Sequence, residues 1–366
     1  MSKSFYSLGL MSGTSMDGVD ASIIQSDGES KYKVISNKYF KYKENLYGEL
    51  ASLRDKINTS KDLKTLSNDL KSLEKEITIF HAEAVDKIIK ESNVEINFVG
   101  FHGQTIFHNP DEKISTQLGD GKLLSKLIKK TVVYNFRQND INNGGQGAPL
   151  SPVFHMLLKN KYKLKLPLVI LNIGGIANVT VIDLKNHMYS QDIGPGNCLI
   201  DEWIRRNSKS KYDENGSIAK LGKINKIILN QALKNFSYNN NAKSYDIKDF
   251  DSFFVKGLSL EDGAANLTEY TSEILQDHLK MSFDGPNKNI LIAGGGRKNK
   301  FLIKSIEEKI NFPLKLIDDF EIDGDFVESQ AFAYLAIRSY RKLPISFPET
   351  TGCIKPSTGG VIVKNY

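Results

Sequence analysis

The chain has 366 residues, a formal charge of +6, and 40% apolar and 25% charged residues, a length that accommodates two domains with cores of their own. Its lysines are scattered among glutamates and asparagines with no basic block, which argues against nucleic acid as a partner. Cys198 and Cys353 fall in no metal-ligand spacing, and neither a signal peptide nor an apolar run of about 20 residues is visible, so the expectation is a cytoplasmic protein without a disulfide scaffold, structural zinc or membrane span.

Phe5 to Met11 reads as a strand entering a turn of small and hydroxyl-bearing residues, Ser12-Gly13-Thr14-Ser15. Asp17-Gly18 closes the turn, and a second strand leaves from Val19 to Gln25. Asp-Gly between two apolar runs is a hairpin signal, because glycine takes positive φ without steric cost. An ordinary tight hairpin explains the glycines. It does not explain three hydroxyl-bearing residues beside an aspartate. Bare N–H groups and hydroxyls in such a turn make a nest for phosphate oxygens, and an acid at its lip can hold Mg²⁺ directly or through water. The G-x-x-x-x-G-K-[ST] pattern of a P-loop is absent.

Lys31 to Lys43 alternates as a third strand. From about Leu63 to Lys90, Leu63, Leu66, Leu70, Leu73, Ile77, Phe80, Ala84 and Ile88 recur at three- and four-residue steps, the stripe of a core-facing helix. Asn97 to Phe101 reads as a short buried strand ending at His102-Gly103-Gln104-Thr105. Leu168 to Ile173 is a continuous apolar strand that turns through Gly174-Gly175-Ile176-Ala177-Asn178 and leaves as Val179 to Leu184. Two glycine hairpins in separate halves predict a duplicated architecture; facing each other across a cleft, they would grip a polyphosphate from both sides. Next, Asp192 stands just before a Gly194-Pro195-Gly196 turn, which would aim a short carboxylate as a general base. The competing role is a cap for the helix running through Trp203. A third glycine element, Gly294-Gly295-Gly296 within Leu291 to Asn299, leads from a strand into a helix beginning near Lys300. Bare backbone there would admit a flat ring, with Arg297 either stacked on it or solvated. In the helix Phe326 to Arg338, Glu328 shares a face with Ala331, Phe332 and Leu335, an unusual place for an idle carboxylate.

GLMSGTSMDGVD, GFHGQT, GGQGAPL, NIGGIANVT, DIGPGNCLID and GGGRKN occur in an order that resembles the anhydro-N-acetylmuramic acid kinases, from Gly9 to about Gly352. The resemblance implies an α/β fold of two actin-like (ribonuclease H-like) domains flanking a nucleotide cleft. The expected domains are residues 1–135, with the tail 345–366 returning to them, and 136–344. It implies a kinase that uses MgATP to phosphorylate 1,6-anhydro-N-acetylmuramic acid while hydrolysing its anhydro bridge, giving N-acetylmuramic acid 6-phosphate in peptidoglycan recycling. ATP and Mg²⁺ are the expected cofactors. The expected partners are the two small molecules, with no nucleic acid or membrane and with a homodimer left open. ATP contacts are then expected at Gly13, Thr14, Ser15, Met16, Asp17, Gly18, Val19 and Asp20, at Asn172, Gly174, Gly175 and Asn178, and at Gly294, Gly295, Gly296 and Asn299. Asp17 would take the metal, and the family's catalytic aspartate falls at Asp192. His102, Gln104, Thr105, Arg137 and Glu328 are the sugar-binding candidates, Arg137 for the lactyl carboxylate. The chain departs from the family pattern at Asn135 to Asn143 and keeps only part of the terminal motif at Thr351-Gly352-Cys353. A related kinase for another amino sugar or hexose, or a regulatory ATPase, are the alternatives.

Overall fold

In the computed structural model, which describes residues 3–236, 244–281 and 289–366, the described residues form twelve strands. They are β1 Phe5–Ser12, β2 Gly18–Ser26, β3 Tyr32–Lys41, β4 Phe98–Asn109, β5 Ile114–Leu118, β6 Thr131–Tyr134, β7 Leu168–Ile173, β8 Ile176–Ile182, β9 Met188–Pro195, β10 Asn289–Ala293, β11 Lys315–Leu316 and β12 Val361–Val363. Contacts divide the chain into two units, one running to Leu164 and resuming at Phe326–Tyr366, the other Lys165–Asp325. The expected divisions fell after residue 135 and before residue 345. Residues 136–164 and 326–344 go with the first unit because their helices pack there. Phe154 of helix Pro152–Lys161 meets Tyr32 and Tyr334, and helix Val327–Tyr340 lies on the first sheet.

The two units share one sheet plan. In the first the order is β12-β6-β4-β1-β2-β3, with β5 hydrogen-bonded to β4. β1, β2 and β3 form an antiparallel meander, while β4 pairs parallel to β1 and β6 parallel to β4. In the second the order is β11-β10-β7-β8-β9, again an antiparallel meander, β7 to β9, with β10 and β11 added parallel. The repeated hairpins predict this duplication, and the family resemblance implies its ribonuclease H-like α/β arrangement. β7 is buried along its whole length, as a near-continuous apolar run on a two-sided strand should be.

Side chains alternate across β1. Leu8 and Leu10 join the core cluster of Leu70, Leu73 and Ile77 from helix Ser67–Ser92, so the predicted stripe faces this sheet. The helix is interrupted at Leu66, with a separate turn Ser60–Thr65 before it. Gly9 points the other way. A Cβ there would lie 1.9 Å from the Ser329 carbonyl oxygen, and one on its register partner Gly100 would lie 2.2 Å from that of Phe332. Paired glycines therefore let the backbone of helix Val327–Tyr340 rest directly on the sheet. β4 is longer than expected, because it continues into pairing with β5. His102, Gln104 and Thr105 thus stand inside a strand rather than at its end. Among the described residues, no helix is long and apolar enough to cross a membrane.

Candidate active site

The turn between β1 and β2 is tied down from below. Met16 N–H donates to Gly13 O at 3.2 Å, and Asp17 O accepts from Tyr42 N–H at 2.8 Å and Tyr39 O–H at 3.0 Å. The left-handed residue of the turn is buried Met16, at φ 58°, rather than Gly18. Gly18 is required for a different reason, since a Cβ would sit 2.4 Å from Phe40 O. Gly13 is required by neither argument: its φ is ordinary, and the nearest atom to an added Cβ is Ser15 Oγ at 3.8 Å. Its bare backbone suits close approach by a ligand. The Ser15 hydroxyl donates to the partly exposed Asp17 carboxylate. Thr14 O accepts from Arg54 at 3.5 Å, which sets a cation beside the turn. Val19 is buried, and Asp20 pairs with Met11 at the mouth of the hairpin.

Beneath the turn runs a buried chain of polar groups that the sequence did not reveal. Tyr42 Oη lies 2.9 Å from Ser12 Oγ, which lies 3.1 Å from His81 Nε2, while His81 Nδ1 is 2.8 Å from Ile77 O. Burial pushes His81 down to about 4, so the ring is neutral. Only one direction of donation fits. Nδ1–H donates to Ile77 O, Ser12 O–H donates to Nε2, and Tyr42 O–H donates to Ser12. Burial, ahead of its other causes, raises the Tyr42 phenol, which keeps it a donor.

Two sugar candidates meet directly. Arg137 donates to His102 Nε2 from Nη2 at 2.9 Å and from Nε at 3.3 Å, and Nη1 donates to Gly147 O at 2.8 Å. Burial first, then the Arg137 charge, drives His102 well below its usual value. The neutral ring therefore accepts from Arg137 at Nε2 and packs on Phe332 at 4.5 Å. Gln104 joins β4 to the β1–β2 turn, its Nε2 donating to Gly13 O at 2.9 Å, while among the described residues its Oε1 is buried without a partner. Thr105 accepts from Gln117 at 3.4 Å. Glu328 occupies the first turn of helix Val327–Tyr340 and is partly exposed, whereas Ala331, Phe332 and Leu335 are buried.

In the second unit the predicted residues fall into a row. Asn172 of β7 pairs with Asn178 of β8, which pairs with Asp192 of β9. Residues directly opposite one another share a face of the sheet. The row continues to β10, where Ala293 pairs with Asn172 and a Cβ on Gly294 would lie 2.5 Å from Asn172 Oδ1. Asp192 is buried within β9, and Tyr245 N–H donates to its Oδ2 at 3.0 Å, orienting the carboxylate. Asp192 does not cap the following helix, because helix Cys198–Asn207 begins after Asn197. Among the described residues, Asn178 Oδ1 is buried without a partner. The Gly194-Pro195-Gly196 segment latches onto the β7–β8 turn: Gly196 N–H donates to Gly175 O at 3.0 Å and Asn197 N–H to Gly174 O at 2.8 Å. A Cβ on Gly196 would lie 2.1 Å from Gly174 O.

The third glycine element divides by role. Gly294, at φ 79°, and Gly296 pack against Ile173, whereas an added Cβ on Gly295 meets no described residue within 4 Å. Asn299 caps helix Lys300–Ile310, accepting from Leu302 N–H at 3.0 Å. Arg297 is not solvated. It is buried and donates to Asp318 at 2.7 Å and 3.1 Å and to Asp325 at 2.7 Å. Burial pulls both carboxyls upward, yet the hydrogen bonds and charge of Arg297, joined by Gly324 N–H at Asp318 and by Lys298 at Asp325, together hold them below the usual carboxylate range.

A family model described as anhydro-N-acetylmuramic acid kinase matches residues 5–365. The chain belongs to this family. An anhydro-N-acetylmuramic acid kinase of Pelagibacter ubique is 58% identical over 375 residues, covering 100% of both chains. That of Zymomonas mobilis is 38% identical, over 97% of this chain and 98% of its own. Among solved structures, the activator of the 2-hydroxyisocaproyl-CoA dehydratase from Clostridium difficile aligns at a TM-score of 0.46 and 12% identity, over 92% of this chain and 96% of that one. At that level the likeness decides nothing about function.

Proposed function

We propose that the chain converts 1,6-anhydro-N-acetylmuramic acid, water and ATP to N-acetylmuramic acid 6-phosphate and ADP, in the cytoplasm and as part of peptidoglycan recycling. The family assignment supports the kinase reaction, and the row Asp192–Asn178–Asn172–Gly294 carries the assignment of residues. It sets one oriented carboxylate on the same face of the sheet as two amides that end at a glycine loop. Asp192 takes the proton of a water attacking the anomeric carbon. The bond from that carbon to O6 breaks, and O6 attacks the γ-phosphorus as the oxygen bridging to the β-phosphate departs with ADP.

Gly13, Thr14 and Ser15 contact phosphate, with Met16, Gly18, Val19 and Asp20 shaping that turn, and Gly174, Gly175, Asn172 and Asn178 supply a second phosphate loop. The bare Gly13 suits this, since among the described residues the nearest atom to the place of its side chain is Ser15 Oγ at 3.8 Å. Gly294 to Gly296 and Asn299 flank the adenosine, and Gly295 is the one whose backbone a ring can approach. His102, Gln104, Thr105, Arg137 and Glu328 bind the sugar. Asp17 suits Mg²⁺, being a partly exposed carboxylate on a braced turn, and a magnesium ion bound largely by phosphates and water needs few protein ligands. Such an ion would neutralise charge on the transferring phosphoryl group.

Asp192→Asn should lower turnover by about 10³-fold or more while nucleotide affinity, read by calorimetry, stays near wild type. In water enriched in ¹⁸O, the wild-type product should carry the label at the anomeric carbon as well as a 6-phosphate. An unlabelled product, or near-normal turnover in Asp192→Asn, overturns the mechanism.

A further inference from the structure

The glycine loop Gly144–Pro149 and the shortened terminal motif at Thr351 lie far apart in the chain, and the structure joins them through a residue that neither motif contains. Asp140 is buried, and its two oxygens are used separately. Oδ2 accepts Gly147 N–H at 2.7 Å, and Oδ1 accepts the Thr351 hydroxyl at 2.7 Å. Gln146 N–H donates to Thr351 O at 2.8 Å. Gly145 lies so close to the carboxylate that a Cβ would stand 2.2 Å from Oδ2, and Gly147 needs its positive φ of 70°. The loop is therefore moulded onto one carboxyl group and closed by a threonine 211 residues away.

What the loop holds is Arg137. The Gly147 carbonyl, on the same residue whose N–H is fixed by Asp140, accepts from Arg137 Nη1 at 2.8 Å, and His102 accepts from Nε and Nη2. These two acceptors, a ring nitrogen and a backbone carbonyl, set the plane and direction of the guanidinium. A planar cation held this way presents a fork suited to a carboxylate.

We propose that Asp140 and Thr351 are positioning residues for substrate choice, fixing Arg137 through Gly147 so that it reads the lactyl carboxylate of the sugar. This rests on the assignment of Arg137 to that carboxylate. Neither Asp140 nor Thr351 touches substrate in this scheme.

The test compares kcat/KM for 1,6-anhydro-N-acetylmuramic acid and for 1,6-anhydro-N-acetylglucosamine, which lacks the lactyl group, using the full-length chain. Wild type should prefer the lactyl sugar, and Arg137→Met should lose that preference. Asp140→Ala should reduce it about tenfold or more, with KM for ATP unchanged, since one misplaced charge-assisted hydrogen bond is worth that factor. Thr351→Val should act in the same direction to a smaller extent. Asp140→Asn should retain most of the preference, because its amide oxygen can still accept Gly147 N–H while its NH₂ donates to a rotated Thr351 hydroxyl. If Arg137→Met loses the preference while Thr351→Val and a folded Asp140→Ala keep it, the positioning role is wrong and the Arg137 assignment stands. If wild type shows no preference, or Arg137→Met keeps it, the assignment fails and takes the proposal with it. Should Asp140→Ala not fold, Thr351→Val decides.

Discussion

Buried imidazoles give this chain an acid limb to its stability. Burial pushes His81 and His155 down to about 4, and with the Arg137 charge it pushes His108 to about 3, against about 6.5 in the unfolded chain. Between those values the unfolded state binds the extra protons. The stabilisation is therefore complete above pH 6.5 and is lost as pH falls toward 4, at about 1.4 kcal/mol per pH unit for each histidine. Urea midpoints measured from pH 7 to 4.5 should fall accordingly, and His81→Gln should flatten the slope by about one proton. The same residues mark what the sequence could not show. His81 meets Ser12 across 69 positions and Thr351 meets Asp140 across 211, so no local spacing announces either pair. Arg297 went astray for the converse reason: in a glycine-rich string it reads as exposed, and its acidic partners lie 21 and 28 residues downstream.

At the scale of elements, the two hairpins were legible because turn chemistry and apolar runs are local signals, and β7 matches its predicted span. The β4 boundary was not, because His102-Gly103-Gln104-Thr105 looks like a strand end until β5 pairs with it. Motif glycines also conceal two different jobs, and an added methyl group separates them. Gly9→Ala would drive a Cβ into the backbone of helix Val327–Tyr340, and it should cost about 3 kcal/mol in chemical denaturation. Gly13→Ala and Gly295→Ala meet room instead. Both should unfold within about 0.5 kcal/mol of wild type yet raise KM for ATP. Equal stability losses at all three positions would contradict this division.

At the scale of the whole molecule, the two units differ in how the chain supplies them. Lys165–Asp325 is one uninterrupted stretch, whereas the first unit needs Phe326–Tyr366 to cover β1, β2 and β4. Expressed alone, residues 165–325 should unfold cooperatively, and residues 1–164 should not, until a separate 326–366 peptide is added; circular dichroism during denaturation reads both. Sequence patterning announced two similar halves, but it could not show that helix Val327–Tyr340 belongs to the first sheet, since that pairing depends on glycines more than 200 residues upstream. Domains commonly fold in the order in which they leave the ribosome. Here β1 must wait with its Gly9 face uncovered until helix Val327–Tyr340 has been made, so the unit Lys165–Asp325 can mature before the one that precedes it. A nonsense codon near residue 325 would consequently damage the N-terminal half of the protein, not the half it interrupts.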